Sequence, residues 1–227
     1  MIIIPARNEG PRIGAVIRQA RLMYPDVPVV VVANSCTDDT AQQAELAGAE
    51  VIHSAPGYGP ALLTGYRHAL ARWASGEGPK WLVQLDADGQ HPPTAIPQLV
   101  AALDHAHMAI GSRFAPGGRA EGWSLPRRLA VEALGWWTRR VSGAPIRDIS
   151  SGFQAMRPEV VRSLVNDFPV DMVDANVLVR LWREGFRISE LGVHMNERSG
   201  GQSMHGGWQS ALYAGRMAIQ ATIEARR

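Results

Sequence analysis

The chain has 227 residues, 46% apolar and 19% charged, with a net charge of +2 and a pI near 9.0. A globular chain of this length buries about 70–75% of its unfolded surface, and so weak a charge excludes a nucleic-acid partner while suiting an anionic small ligand or a membrane surface. Cys36 is the only cysteine, and the longest apolar run, Val27 to Ala33, is seven residues, which excludes an internal disulfide and a membrane span of roughly 18 residues and points to a reducing, cytoplasmic compartment.

Short apolar runs alternate with helical patterns along the first half. Ile2–Ile4 reads as a strand and Arg12–Tyr24 as a helix. The start, MIIIPARNE, lacks a basic region before its apolar run and is not a signal peptide. Val29–Ala33, four valines and an alanine, reads as a strand buried on both faces. Thr37 is placed to cap the next helix, with Asp38 and Asp39 in its first turn. Val51–His53 is a strand, Pro60–Ala74 a helix, Trp81–Leu85 a strand, Ala95–Leu103 a helix and His107–Ile110 a strand. This β-α-β-α order predicts an α/β fold with a doubly wound, mostly parallel sheet flanked by helices.

The second half is less regular. A Gly/Pro-rich loop covers Arg113–Ser124, and a helix rich in Trp and Arg covers Leu125–Val141. Asp148–Ala155 reads as a loop and strand, Pro158–Val165 and Asp174–Glu184 as helices, and Arg187–His194 as a strand. Asn196–Gly207 is a second Gly-rich loop, and Trp208–Arg227 a final amphipathic helix. No linker interrupts the chain, so residues 1–227 read as one domain, with a ligand-binding half (1–112), a second half that builds another ligand's site onto the first (113–207) and a C-terminal helix (208–227).

In open α/β sheets, ligands bind outside the C-terminal ends of the strands. The stretch WLVQLDADGQHPP, Trp81 to Pro93, ends a strand on two carboxylates. Asp86 and Asp88 share a face of an extended chain. Their hard oxygens, with the Gln90 amide oxygen, suit Mg²⁺ or Mn²⁺ carrying phosphate oxygens in its open positions. A polar turn with solvated acids is the competing reading of such a pair. His91 reads equally as a ligand or as a polar lid over the turn.

IIIPARNE, NSCTDDT, LDADGQHPP, GSRFAPGG and RDISSGFQAM follow one another in this order. Together they resemble glycosyltransferase family 2, whose members have the nucleotide-diphospho-sugar transferase fold called GT-A. DADGQHPP, GSR and SGFQAM are most similar to the polyprenyl-phosphate sugar transferases. The resemblance covers about residues 1–205. It implies a nucleotide-diphospho-sugar donor, an inverting displacement and a divalent metal. It places Pro5, Ala6, Arg7, Glu9 and Asn34 around base and ribose, and Asp86 facing the nucleotide. Asp88 and Gln90 then fall on the metal, Arg113 on a phosphate, and Arg198 and Ser203 in the loop that closes over the donor.

The chain also departs from that pattern. Ala33 and Asn34 stand where the family usually has two acids, and an asparagine both donates and accepts. Met204 replaces a lysine, and Asn176 replaces a carboxylate near Asp174. A polyprenyl-phosphate acceptor is already an anion, so positioning and the metal carry catalysis. A hydroxyl acceptor, the alternative, needs a carboxylate base, for which Asp148 and Asp174 are the candidates. A sugar-nucleotide cytidylyltransferase is a further alternative, as is a degenerate binding module.

Two stripes complete the sequence reading. Ala130, Leu134, Trp137 and Val141 suggest a helix that packs, or one that lies peripherally on the inner membrane face beside a lipid acceptor. Trp208, Leu212, Gly215, Ile219 and Ile223 suggest packing or a homodimer contact.

Overall fold

The computed structural model describes residues 1–171, 173–197 and 208–226, with side chains of the last helix from residue 215 onward. In chain order the elements are β1 (Ile2–Ala6), α1 (Gly10–Met23), β2 (Val29–Asn34), α2 (Thr40–Leu46), β3 (Glu50–Ser54), α3 (Tyr58–Ala74) and β4 (Leu82–Gln84). They continue with α4 (Ile96–Ala102), β5 (Met108–Ser112), β6 (Arg119–Ala120), α5 (Leu125–Ser142), β7 (Gln154–Met156) and α6 (Pro158–Asn166). The chain closes with α7 (Ala175–Arg183), β8 (Ile188–Gly192), β9 (His194–Met195) and α8 (Trp208–Arg226).

Seven strands form one sheet in the order β3-β2-β1-β4-β7-β5-β8. All neighbours are parallel except β7, which runs against β4 and β5. Alternation along the strands divides the core between the two faces. Ile3, Val30 and Val32 pack with Leu62 and Tyr66 of α3 and with Val160 and Leu178 of α6 and α7. Ile2, Ile4, Val29 and Val31 pack with Ile13 and Ile17 of α1 and Leu99 of α4. Burial on both faces is why these strands are written almost wholly in Ile and Val.

The sheet opens where its order reverses. β1 pairs with β4 only through Ile2 and Ile3, whereas its pairing with β2 continues to Ala6. Pro5, which lacks an N–H for the ladder, lies beyond the last β4 contact. β4 thus departs from β1 just before Asp86, leaving a crevice at the switch point.

Three features differ from the sequence reading. Thr37 does not cap α2: the helix starts at Thr40, and the Thr37 backbone N–H donates instead to Asn8 Oδ1 (2.8 Å). The predicted strand Arg187–His194 is two strands. Gly192 packs so tightly on the loop before β6 that a Cβ there would lie 2.1 Å from the Pro116 carbonyl. The chain then leaves β5 and pairs β9 with β6.

The third difference concerns the stripes. In α5 the fully buried positions are Gly135 and Thr138, while Trp137 is 40% exposed and donates through Nε1 to Thr222 Oγ1 (3.1 Å). In α8, Met217 and Ala221 are buried, and Ile219 and Ile223 are 61% and 43% exposed. The predicted α8 stripe is therefore outward from Gly215 on, and Trp208 and Leu212 lie outside the described side chains. Among the described residues, no helix is long and apolar enough to cross a membrane.

Candidate active site

The loops after β1 and β2 are tied together. Glu9 N–H donates to Thr40 Oγ1 (2.8 Å) and Gly10 N–H to Asp38 Oδ2 (3.0 Å). Burial pushes the Asp38 carboxyl up, but hydrogen bonds from the Thr40 hydroxyl and from the Gly10 and Thr40 N–H groups outweigh it and hold it below its ordinary value. Pro5 and Ala6 are strand residues lining this edge, Arg7 is exposed, and the Glu9 carboxylate pairs with Arg12 (2.6 Å). Asn34, 6% exposed, closes the neighbouring wall: its Nδ2 donates to Gly57 O (2.8 Å) and its Oδ1 accepts from Gly57 N (3.1 Å).

At the end of β4, the Asp86 carboxylate is 34% exposed toward the crevice. Tyr58 donates to its Oδ1 (3.3 Å). His91 is a structural lid, the second of its two sequence readings. Its Nδ1 accepts the Asp86 N–H (3.0 Å), and its ring stacks on Phe153 at 5.2 Å. Asp88 is 3% exposed, and its Oδ1 accepts the Gln90 N–H (3.0 Å), closing the turn at Gly89. Gln90 Nε2 donates to the Asn196 carbonyl (3.5 Å).

Among the described residues, no three His, Cys, Asp or Glu side chains converge on a metal position. One or two carboxylates, an amide oxygen and ligand phosphates are the donor set Mg²⁺ accepts, because it binds through few protein groups beside substrate oxygens. Asp88, Asp86 and Gln90 fit that description.

Arg113 and Asp148, read separately in the sequence, are one unit. Asp148 is fully buried. It accepts Arg113 N (2.9 Å) and Nε (2.8 Å) on Oδ2, and Nη2 (2.6 Å) on Oδ1. Arg113 Nη2 also donates to Ser150 Oγ (2.8 Å). The Asp148 N–H donates to Glu190 (2.7 Å), whose carboxyl is pushed up chiefly by burial. A carboxylate held in this fork cannot collect a proton from an acceptor, so this geometry removes Asp148 as a base. Asp174 precedes α7, where its N–H donates to Asn176 Oδ1 (3.2 Å). Its charge bears on the Tyr58 hydroxyl.

The segment 147–153 stitches these parts together. Asp148 and Ser150 hold Arg113, Ser151 Oγ donates to the Gly111 carbonyl (2.6 Å), and Gly152 lies flush against Asp86. A Cβ at residue 152 would lie 3.0 Å from the Tyr58 hydroxyl and 3.2 Å from Asp86 Oδ1. Arg198, Ser203 and Met204 lie outside the described residues.

Three contributors escaped the sequence reading. Tyr58 sits between two glycines, Gly57 and Gly59, and carries no motif. Glu190 lies in a strand with no motif around it. Trp123 packs against two guanidinium groups, with Arg113 Cζ at 4.3 Å and Arg127 Cζ at 4.2 Å from its ring centroid. A tryptophan three residues before Pro126-Arg127-Arg128 is the one signal that could have marked this platform, since Trp faces favour Arg.

Comparison with known proteins agrees with this geometry. The profile of glycosyl transferase family 2 matches residues 1–165. An undecaprenyl-phosphate mannosyltransferase from Micrococcus luteus is 33% identical over 223 residues, covering 91% of this chain and 88% of that protein. A polyprenol monophosphomannose synthase from Mycolicibacterium smegmatis is 31% identical over 220 residues, covering 91% and 81%. Among solved structures, glucosyl-3-phosphoglycerate synthase from Mycobacterium tuberculosis, in complex with Mn²⁺, uridine-diphosphate and phosphoglyceric acid, aligns with a TM-score of 0.70 at 20% identity. That alignment covers 99% of this chain and 77% of the synthase.

Proposed function

The chain belongs to glycosyl transferase family 2, and on that premise we propose that it transfers a sugar from a nucleotide-diphospho-sugar to a polyprenyl phosphate at a membrane surface. Its fold is GT-A and its activity that of a glycosyltransferase, which sets aside the cytidylyltransferase and binding-module alternatives. An acceptor phosphate oxygen attacks the anomeric carbon, the bond to the donor diphosphate breaks, and the configuration inverts. No proton has to be removed from the nucleophile.

One observation carries the choice of acceptor. Of the two carboxylates that could serve as a base, Asp148 is buried and forked by Arg113, and the family's acid beside Asp174 is Asn176. A site short of bases suits a nucleophile that arrives ionised. The names of the relatives from Micrococcus luteus and Mycolicibacterium smegmatis support the same class.

The remaining roles follow from placement. Ala6, Arg7, Glu9 and Asn34 border the nucleoside, and Asp86 faces it across the crevice. Asp88 and Gln90 hold a Mg²⁺ or Mn²⁺ ion, which when bound withdraws charge from the leaving diphosphate. Trp123 presents the Arg127 guanidinium beside the first turns of α5, where an acceptor phosphate meets it. Leu125, Leu129 and Trp136, spaced on one helical stripe, are 67%, 54% and 58% exposed. Arg127 and Arg128 flank them, and Ile219 and Ile223 lie on the neighbouring α8. Exposed apolar side chains among arginines suit an anionic bilayer surface.

The donor half of this reading is tested by thermal unfolding with UDP, GDP, CDP and ADP, each with and without Mn²⁺. A ligand at about 100 times its Kd adds roughly 2.7 kcal/mol, or about 5–10 °C at this chain length. One nucleotide is expected to give that shift with Mn²⁺ and a much smaller one without it. A midpoint unmoved by all four removes the donor site.

A further inference from the structure

The structure assigns Tyr58 as a positioning residue: its hydroxyl sets the Asp86 carboxylate for the donor, and the Asn34 amide sets Tyr58 by gripping the Gly57 peptide. This rests on the reading of Asp86 as a donor contact.

Gln84 is the last residue of β4, in the middle of the sheet, and is 2% exposed. A buried amide is costly unless every part of it is bonded. Gln84 Oε1 accepts from the Tyr66 hydroxyl (2.5 Å), and its Nε2 donates to the Tyr58 hydroxyl (3.4 Å). The Tyr58 oxygen therefore already accepts, and its own proton points on to Asp86 Oδ1 (3.3 Å). The result is a directed chain, Tyr66 to Gln84 to Tyr58 to Asp86, that ends on a carboxylate 34% exposed at the crevice.

Tyr58 is the first residue of α3, and its position is inherited from Gly57. Gly57 has φ 119° and ψ 147°, a conformation open only to glycine. Such a residue is held only by strong constraints on both of its peptides, and Asn34 supplies them: it accepts the Gly57 N–H and donates to the Gly57 carbonyl. Aspartate could accept but not donate, and would set a carboxylate oxygen against that carbonyl. On the far side, Gly59 packs so closely that a Cβ would lie 2.0 Å from the Val170 carbonyl, and Gly152 closes over the Tyr58 hydroxyl. Asn34, in a position where the related motif has an acid, thus acts on Asp86 through the turn between β3 and α3.

The test uses the full chain with UDP and GDP as probes in the presence of Mn²⁺. It compares wild type, Tyr58→Phe, Asn34→Asp and the double variant, measuring nucleotide Kd by calorimetry and kcat at saturating donor. Phenylalanine keeps the ring packing and removes only the hydroxyl. Each single variant is expected to weaken the better nucleotide by about tenfold, the scale of one hydrogen bond to a charged group. For Tyr58→Phe, kcat should stay within about threefold of wild type and the melting temperature within a few degrees. The double variant should be no weaker than the worse single, because both act along one route. Wild-type Kd in Tyr58→Phe, or additive losses in the double variant, overturns the inference while leaving the donor site standing. If wild type itself binds neither nucleotide, the donor reading fails and this inference falls with it.

Discussion

Replacing Asp88 by asparagine is expected to cut turnover by on the order of 10³-fold while the melting temperature moves by only a few degrees. Asp88 is 3% exposed and accepts the Gln90 N–H, and asparagine keeps an oxygen for that bond. What it loses is the charge that holds a divalent cation against the leaving diphosphate, a contribution of several kcal/mol, where each 1.4 kcal/mol is a factor of ten. The same variant should abolish the extra thermal shift that Mn²⁺ gives a nucleotide. Steady-state rates and thermal scans on one preparation check both, and full turnover in Asp88→Asn would remove Asp88 from the metal site.

Asp148→Ala should instead fail on stability. The fork between Arg113 and the fully buried Asp148 leaves an unpaired guanidinium when the acid is removed. Breaking one partner of a buried pair costs about 3–5 kcal/mol, a large part of a typical 5–15 kcal/mol stability. In a chain of this length that lowers the melting temperature by about 6–20 °C. The double variant Arg113→Met, Asp148→Leu should recover much of the loss, since apolar replacement of a buried pair is often neutral, while activity stays low. Differential scanning calorimetry of the three proteins decides it. An unchanged midpoint in Asp148→Ala would mean that the pair is solvated in solution.

The sheet was legible in the sequence because parallel strands buried on both faces must be written in Ile and Val, and because motifs fall where such strands end. Ile2–Ala6, Val29–Asn34 and Leu82–Gln84 were all anticipated to within two residues. Roles that depend on partners far along the chain were not legible. Asp148 read as a candidate base, and only the adjacency of β5 and β7 brings Arg113 onto it. Asn34 read as part of the base and ribose wall, but the hold of its amide on the Gly57 peptide, 23 residues along the chain, was not legible. The α5 and α8 stripes misled for a different reason. In α5 the closest packing is made by a glycine against the loop that follows the helix: a Cβ on Gly135 would lie 2.4 Å from the Arg147 carbonyl. Leu134 still packs on the core, whereas Trp137, Ile219 and Ile223 face outward.

The account stands or falls on the acceptor. Purified protein with Mn²⁺ and a nucleotide-sugar that stabilises it should be offered a polyprenyl phosphate and the matching polyprenol in parallel, with the lipid products identified by mass. The account predicts a glycosyl-phosphoryl-polyprenol from the phosphate and no glycoside from the alcohol. A glycosylated polyprenol, or sugar transferred only to other hydroxyl acceptors, would contradict it.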